Sequence, residues 1–216
     1  MKRVLGLLAV AVLALTGCGG NAATQLEDGK LTVGMECDYA PYNWTTTKEQ
    51  AGEFAVPIKG STGYCDGYDV MIASKVAKDL GVDLEVKKIA WDGLIPALQS
   101  NEIDVIIAGM SPTNERRQTI DFSDPYYRDE PTMSVVVNKN TKFVGAKELK
   151  DLDGAKISAQ LGTLHVDLLD QINGESANPL PDYSALIQAT VSGTIDGYIA
   201  EYVVAEEQAK HAELAA

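Results

Sequence analysis

Arg116 carries the most specific chemistry in this chain. A guanidinium can hold a carboxylate through two parallel hydrogen bonds, which a lysine ammonium cannot imitate. It lies in the run Gly109-Met110-Ser111-Pro112-Thr113-Asn114-Glu115-Arg116-Arg117. Ser111 and Thr113 add hydroxyls there, and Thr113 or Asn114 is placed to cap a following helix. Taken alone, one arginine of a pair is more often a solvated surface charge. Glu201 closes the apolar run Gly197-Tyr198-Ile199-Ala200, where its carboxylate could meet an ammonium. It could equally be a helix-start glutamate favoured by the dipole. Gln160-Leu161-Gly162-Thr163 precedes a helical pattern, and such a turn can aim free backbone N–H groups at an anion. Glu36 to Trp44 sets acidic and aromatic side chains directly after the first strand, although a proline-containing turn with core aromatics reads the same way.

These runs need elements to hold them. Residues 31–35 alternate as a first strand, and Tyr68–Leu80 is helical, with Val70, Ala73, Val76, Ala77 and Leu80 on one stripe and Gly81 as its stop. Val82, Leu84 and Val86 alternate as a strand, Leu94, Ile95 and Leu98 mark a short helix, and residues 104–108 read as a strand buried on both faces. This βαβαβ order predicts a parallel sheet with right-handed crossovers. Residues 132–137 make a further strand. A second series follows: a strand at 156–159, a helix through Val166 and Ile172, a helix at 185–191 and a strand at 195–200. Residues 44–63 show no clear period and read as an excursion. The fold class is therefore α/β, in two lobes, with room for a small molecule at the carboxyl ends of facing strands.

Composition narrows the function. The chain has 216 residues, 45 % hydrophobic, with a net charge of −13. That balance argues against nucleic acid, which requires clustered Lys and Arg. Met1-Lys2-Arg3, an apolar run at 4–15 and then Leu15-Thr16-Gly17-Cys18 resemble a bacterial lipobox. That resemblance implies a signal peptide at 1–17, a lipid-bearing Cys18, a flexible tether at 18–29 and an extracytoplasmic, membrane-anchored protein. No other long apolar segment exists to span a bilayer. Cys37 and Cys65 then remain. In an exported chain they suggest a disulfide worth roughly 3 kcal/mol, with a free thiol pair as the alternative. No metal is expected, because neither His165 nor His211 lies near a cysteine pair.

The order of these clusters, with Gly67-Tyr68-Asp69-Val70 opening a helix and Trp91-Asp92-Gly93-Leu94-Ile95-Pro96-Ala97-Leu98 between them, resembles family 3 of the bacterial extracellular solute-binding proteins. The similarity runs from about residue 31 to residue 201. It implies the type II periplasmic-binding-protein-like fold, no cofactor, and partnership with an ABC transporter permease as a monomer. By the same resemblance, Arg116 would grip the α-carboxylate of a free amino acid, with Thr163 and its amide helping from the other lobe. Ser111, the Gly109 carbonyl and Glu201 would take the α-ammonium. Tyr39 and Trp91 would pack on the ligand's side chain and Glu36 would face its polar end. An acidic tip with aromatic walls suits a polar or cationic amino acid.

Met71 stands where the family usually has an acidic residue, and Leu164 replaces a frequent Thr or Ser. Family members also continue past the second lobe and return to complete the first, so the second lobe and the returning segment are expected to be incomplete. The expected lobes are 30–136 and 137–216. The competing function is an enzyme on the same scaffold, dehydratase-like, with Glu36 or Glu201 as acid. Against it, no His or Cys dyad is evident, and His165 lacks an evident partner in the sequence.

Overall fold

The computed structural model describes Leu26 and residues 28–128 and 132–216. The expected signal peptide at 1–17, Cys18 and most of the expected tether lie outside the described residues. The end of that tether is not free: Leu26 packs against the first core, and Gly29 N–H donates to the Leu26 carbonyl at 3.0 Å.

The first lobe is built on strand β1 (Lys30–Met35). A small antiparallel sheet follows from β2 (Asp38–Tyr39), β3 (Asn43–Thr46), β4 (Val56–Pro57) and β5 (Tyr64–Asp66), in the order β2-β3-β5-β4. The supposed excursion thus contains paired strands. Its signal is hidden because each strand has only two to four residues, too few to show a period. The Cys37–Cys65 disulfide is formed, with Cα atoms 5.5 Å apart, and ties the end of β1 to β5.

Helix α1 (Tyr68–Leu80) stops at Gly81, whose φ of 71° is left-handed. Its buried stripe is Asp69, Val70, Ala73 and Ala77. Val76 and Leu80, expected on that stripe, are 38 % and 53 % exposed: at 100° per residue Val76 falls at its edge, while Leu80 lies within the arc but is the last residue of the helix. Strand β6 (Asp83–Lys88), helix α2 (Leu94–Gln99) and strand β7 (Val105–Ile106) complete a parallel sheet of order β6-β1-β7. The run at 104–108 is only half-buried at Val105 and Ile106. Among the described residues β7 pairs on one side only, with β1, so it is an edge rather than a covered strand.

The second lobe comprises β8 (Met133–Asn138), β9 (Lys156–Ser158), α3 (His165–Leu168), β10 (Glu175–Ser176), α4 (Tyr183–Val191), β11 (Gly197–Glu201), α5 (Tyr202–Gln208) and β12 (Leu214–Ala215). Its sheet order is β10-β9-β11-β8-β12. Strand β8 runs antiparallel to β11 over five residue pairs. A junction between 136 and 137 would cut this strand; its hydrogen bonds put all of β8 in the second lobe. Apolar clusters cover both faces of this sheet, and Tyr39 of the first lobe is buried in one of them.

Gly67 shows how closely the first lobe is packed. Its φ is 125°, and a Cβ there would stand 2.4 Å from the Tyr42 carbonyl oxygen and 2.7 Å from the Trp44 ring. Backbone strain and overlap add at this position. Gly67→Ala is expected to lower unfolding free energy by about 2 kcal/mol or more, measured by urea denaturation. An unchanged midpoint would mean the small sheet yields freely.

Candidate functional site

The carboxyl ends of β1, β7, β9 and β11 converge where the lobes meet. The β1 and β7 strands are parallel, as are β9 and β11, so each pair delivers its following residues to the same edge. Glu36 follows β1 and Tyr39 lies in β2. Gly109 and Ser111 follow β7. Arg116 sits in a 3₁₀ turn at Arg116–Gln118, whose first N–H donates to the Thr113 hydroxyl at 3.1 Å. Trp91 opens the short turn before α2. From the second lobe come Gln160 and Thr163 after β9, His165 at the start of α3, Tyr183 at the start of α4 and Glu201 at the end of β11.

The two lobes touch directly. Gln160 Nε2 donates to Glu36 Oε1 at 2.5 Å. The Ser184 amide and hydroxyl both donate to the Asp38 carboxylate, at 3.0 and 2.8 Å. Trp91 Nε1 donates to the Gly162 carbonyl at 2.9 Å, and Arg116 Nη2 donates to the same oxygen at 3.2 Å. The Tyr39 ring stacks on Tyr183 with centroids 5.6 Å apart. Tyr39 and Tyr183 belong to a run of seven ring-contacting tyrosines that crosses from Tyr198 in the second core to Tyr126 and Tyr127 on the first lobe. This is a closed arrangement.

Several expected roles look different in it. Glu36 is buried and already holds Gln160. Arg116 gives its N–H groups to two carbonyls, those of Ser111 and Gly162, and its guanidinium lies 5.2 Å over the Trp91 ring. The Thr163 hydroxyl and amide both turn back to the Gln160 carbonyl, at 2.7 and 3.3 Å. Ser111 offers Arg116 its carbonyl and is itself exposed. Gly109 packs beneath Tyr39, where a Cβ would meet the ring at 3.1 Å. Its N–H donates to the Tyr126 hydroxyl, which donates to buried Asp69. Of the eight expected residues, Glu36, Tyr39, Trp91 and Arg116 contact the other lobe directly and Thr163 lines the gap. Gly109 and Ser111 touch first-lobe groups, and Glu201 pairs with His165 of its own lobe while acting on Tyr39. A cavity of about 420 Å³ opens between the lobes beside Arg116 and Thr163.

Three features escape the sequence reading. His165 does have a partner: its Nε2 lies 3.2 Å from Glu201 Oε1. Gln160 and Tyr183 are also central, yet neither residue type announces a role. Among the described residues, the buried atoms His165 Nδ1, Tyr183 Oη, Tyr198 Oη and Glu201 Oε2 have no hydrogen-bond partner. No cluster of three metal-ligating side chains occurs among the described residues.

Charge placement follows burial. Desolvation pushes the Glu36 carboxyl up to about 7; the Gln160 bond and Lys88 oppose this, while Asp38 and Asp182 add to it. Burial also pushes Glu201 up, but the His165 bond and charge outweigh it and hold that carboxyl below its ordinary value. Burial, then the Glu201 charge, push the Tyr39 and Tyr183 hydroxyls up. Arg116 is lowered by burial, and among the described residues it has no carboxylate within ion-pair distance.

The family of bacterial extracellular solute-binding proteins, family 3, matches residues 31–178. The arginine-binding extracellular protein ArtP of Bacillus subtilis (strain 168) is 34 % identical over 212 residues, covering 95 % of this chain and 75 % of ArtP. The L-arginine-bound amino-acid ABC transporter substrate-binding protein AbpA of Streptococcus pneumoniae superposes with a TM-score of 0.71 at 29 % identity, over 87 % of this chain and 74 % of AbpA. The ancestral amino-acid-binding protein AncCDT-1, a precursor of cyclohexadienyl dehydratase, gives 0.70 at 29 % identity, over 88 % of this chain and 78 % of its own.

Glu36 makes stability depend on pH. Its folded-state value of about 7 lies above the ordinary 4.5, so the contribution is complete below 4.5 and is lost as pH rises toward 7. The loss is on the order of 3 kcal/mol. Subtracting the urea-unfolding profile of Glu36→Gln from that of the native chain should isolate this slope; parallel profiles would show that Glu36 is not desolvated.

Proposed function

The chain belongs to family 3 of the bacterial extracellular solute-binding proteins, and we propose that it binds a free polar or cationic L-amino acid between its lobes. It would serve as the lipid-anchored receptor of an ABC importer and deliver that amino acid to the permease. The observation that carries this reading is the unbalanced charge of the cleft. Arg116 reaches it with only carbonyl oxygens as partners. Glu201, from the other lobe, holds one buried carboxylate oxygen without a hydrogen-bond partner. A zwitterion completes both: its carboxylate fits the guanidinium fork and its ammonium fits the free oxygen. Because the two groups sit on opposite lobes, such a ligand favours closure over opening, which is what drives a conformational equilibrium.

The preference for a polar or cationic side chain rests on Glu36, with Asp38 and Asp182 close enough to act on it. The arginine named in ArtP and AbpA supports the same direction. Ligand entry requires Gln160 to release Glu36, and Arg116 to trade a carbonyl for a carboxylate. In this reading Trp91 and Tyr39 keep their places as walls. Among the described residues no helix is long and apolar enough to cross a membrane.

A second reading has one observation in its favour. The His165–Glu201 pair and the raised Glu36 carboxyl are groups that could move protons, and AncCDT-1 precedes a dehydratase. Incubation with small carboxylated ring compounds decides it: product formation would replace the receptor reading.

Calorimetry against the twenty amino acids should find arginine, lysine, histidine or glutamine above leucine and aspartate. Tight glutamate binding without arginine or lysine would reverse the charge assignment. Arg116→Ala should weaken binding about a hundredfold, roughly 3 kcal/mol, while Arg117→Ala, exposed and lying over Phe122, should change little.

A further inference from the structure

His165 occupies an unusual position for a titratable side chain. It is 4 % exposed and opens α3. Its Nε2 stands 3.2 Å from Glu201 Oε1. On the far side of each group one atom is unused: His165 Nδ1 and Glu201 Oε2 have no hydrogen-bond partner. The Glu201 side chain is 32 % exposed and the imidazole 5 % exposed, so the ring is the deeper of the two groups, although the unpartnered Oε2 is itself buried. Tyr39 from β2 and Tyr183 from α4 flank the carboxylate, and Glu36 acts on Tyr183 from the end of β1. Asp38, Asp182 and Lys88 act on Glu36 in turn. Asp167, on α3 itself, is exposed.

We infer that His165 is a positioning residue that fixes Glu201 by one oxygen, holds its carboxylate ready for the ligand's ammonium, and gives up a proton when that ammonium arrives. This rests on the role proposed above for Glu201. A neutral imidazole donates through Nε2–H to Oε1 and adds no charge, so Glu201 keeps its full negative charge for the ligand. A protonated imidazole neutralises the carboxylate beforehand, and an arriving ammonium then meets a like charge in a partly buried site. Like charges this close displace a titration by about one pH unit or more, which is about tenfold in affinity.

The direction follows. The bound ammonium lowers the proton affinity of His165, so the proton passes to the buffer on binding. Affinity is weakest where His165 is protonated in the free protein and rises with pH through that titration until it levels. Glu36 is a second source of protons, because a cationic side chain beside it would also expel one. The two sources differ in ligand requirement. Every amino acid brings an ammonium, whereas arginine brings a cationic side chain and glutamine does not.

The test is calorimetry of L-arginine and L-glutamine binding between pH 5.5 and 8.5, in buffers of different ionisation heat so that released protons are counted. The native protein should release a fraction of a proton with both ligands within this range and bind each about tenfold more tightly at the alkaline end. His165→Asn should abolish the release common to both ligands. Glu36→Gln should remove only the excess seen with arginine. Equal proton release in the native protein and His165→Asn would overturn the inference while leaving the receptor reading intact. Failure of the native protein to bind any amino acid would overturn both. Imidazole NMR needs no change at His165: His211→Asn identifies the His165 signal, and saturating glutamine should move its midpoint to lower pH. An unmoved midpoint would also overturn the proposal.

Discussion

Charged groups cannot be shut between two lobes without partners, and this constraint organises the cleft. Removing a carboxylate or guanidinium from water is costly unless hydrogen bonds or opposite charges replace the water. In the closed arrangement the protein supplies those replacements itself. Gln160 serves Glu36, His165 serves Glu201, and the Ser111 and Gly162 carbonyls serve Arg116. Each is a partial substitute. Gln160 is neutral, the carbonyls carry only dipoles, and His165 leaves one carboxylate oxygen unmatched. A zwitterionic amino acid offers full charges in the same places, so the proposed ligand competes against weaker internal stand-ins.

The surrounding fold keeps these groups within reach of one another. Parallel pairs in each sheet bring the ends of β1, β7, β9 and β11 to one edge. The disulfide and the small antiparallel sheet fix the segment that carries Asp38 and Tyr39. Asp38 then accepts two hydrogen bonds from Ser184 in the first turn of α4, where a carboxylate is also favoured by the helix dipole. This contact lies apart from Arg116 and Glu201 and joins the lobes directly.

Much of the architecture is legible in the sequence because its longer elements have clean periods. Helix α1 and the apolar alternations of β1 and β6 need no tertiary information. The α/β class and the two lobes follow from element order, and the matched family and structures agree. The boundary fails at β8, because a strand joining two lobes looks alike whichever sheet receives it. Val76 and Leu80 fail because a stripe drawn from spacing alone does not say how wide the covered face is or how far along the helix it extends. In the cleft, residues with distinctive chemistry such as Arg116 and Glu201 could be singled out by type and position. Gln160, Tyr183 and the His165–Glu201 pair could not, since they matter through who stands opposite them across 36 to 124 positions of sequence.

Trp91 has a consequence beyond its role as a wall. Its indole N–H reaches across to the Gly162 carbonyl, and its ring lies under the Arg116 guanidinium. The protein has two tryptophans, and the other, Trp44, belongs to the small antiparallel sheet of the first lobe. Separation of the lobes would hydrate the first indole and leave the second in place. The molecule therefore carries a native optical gauge of its own aperture, with an internal reference, and its intrinsic emission can be followed in real time without attaching a dye.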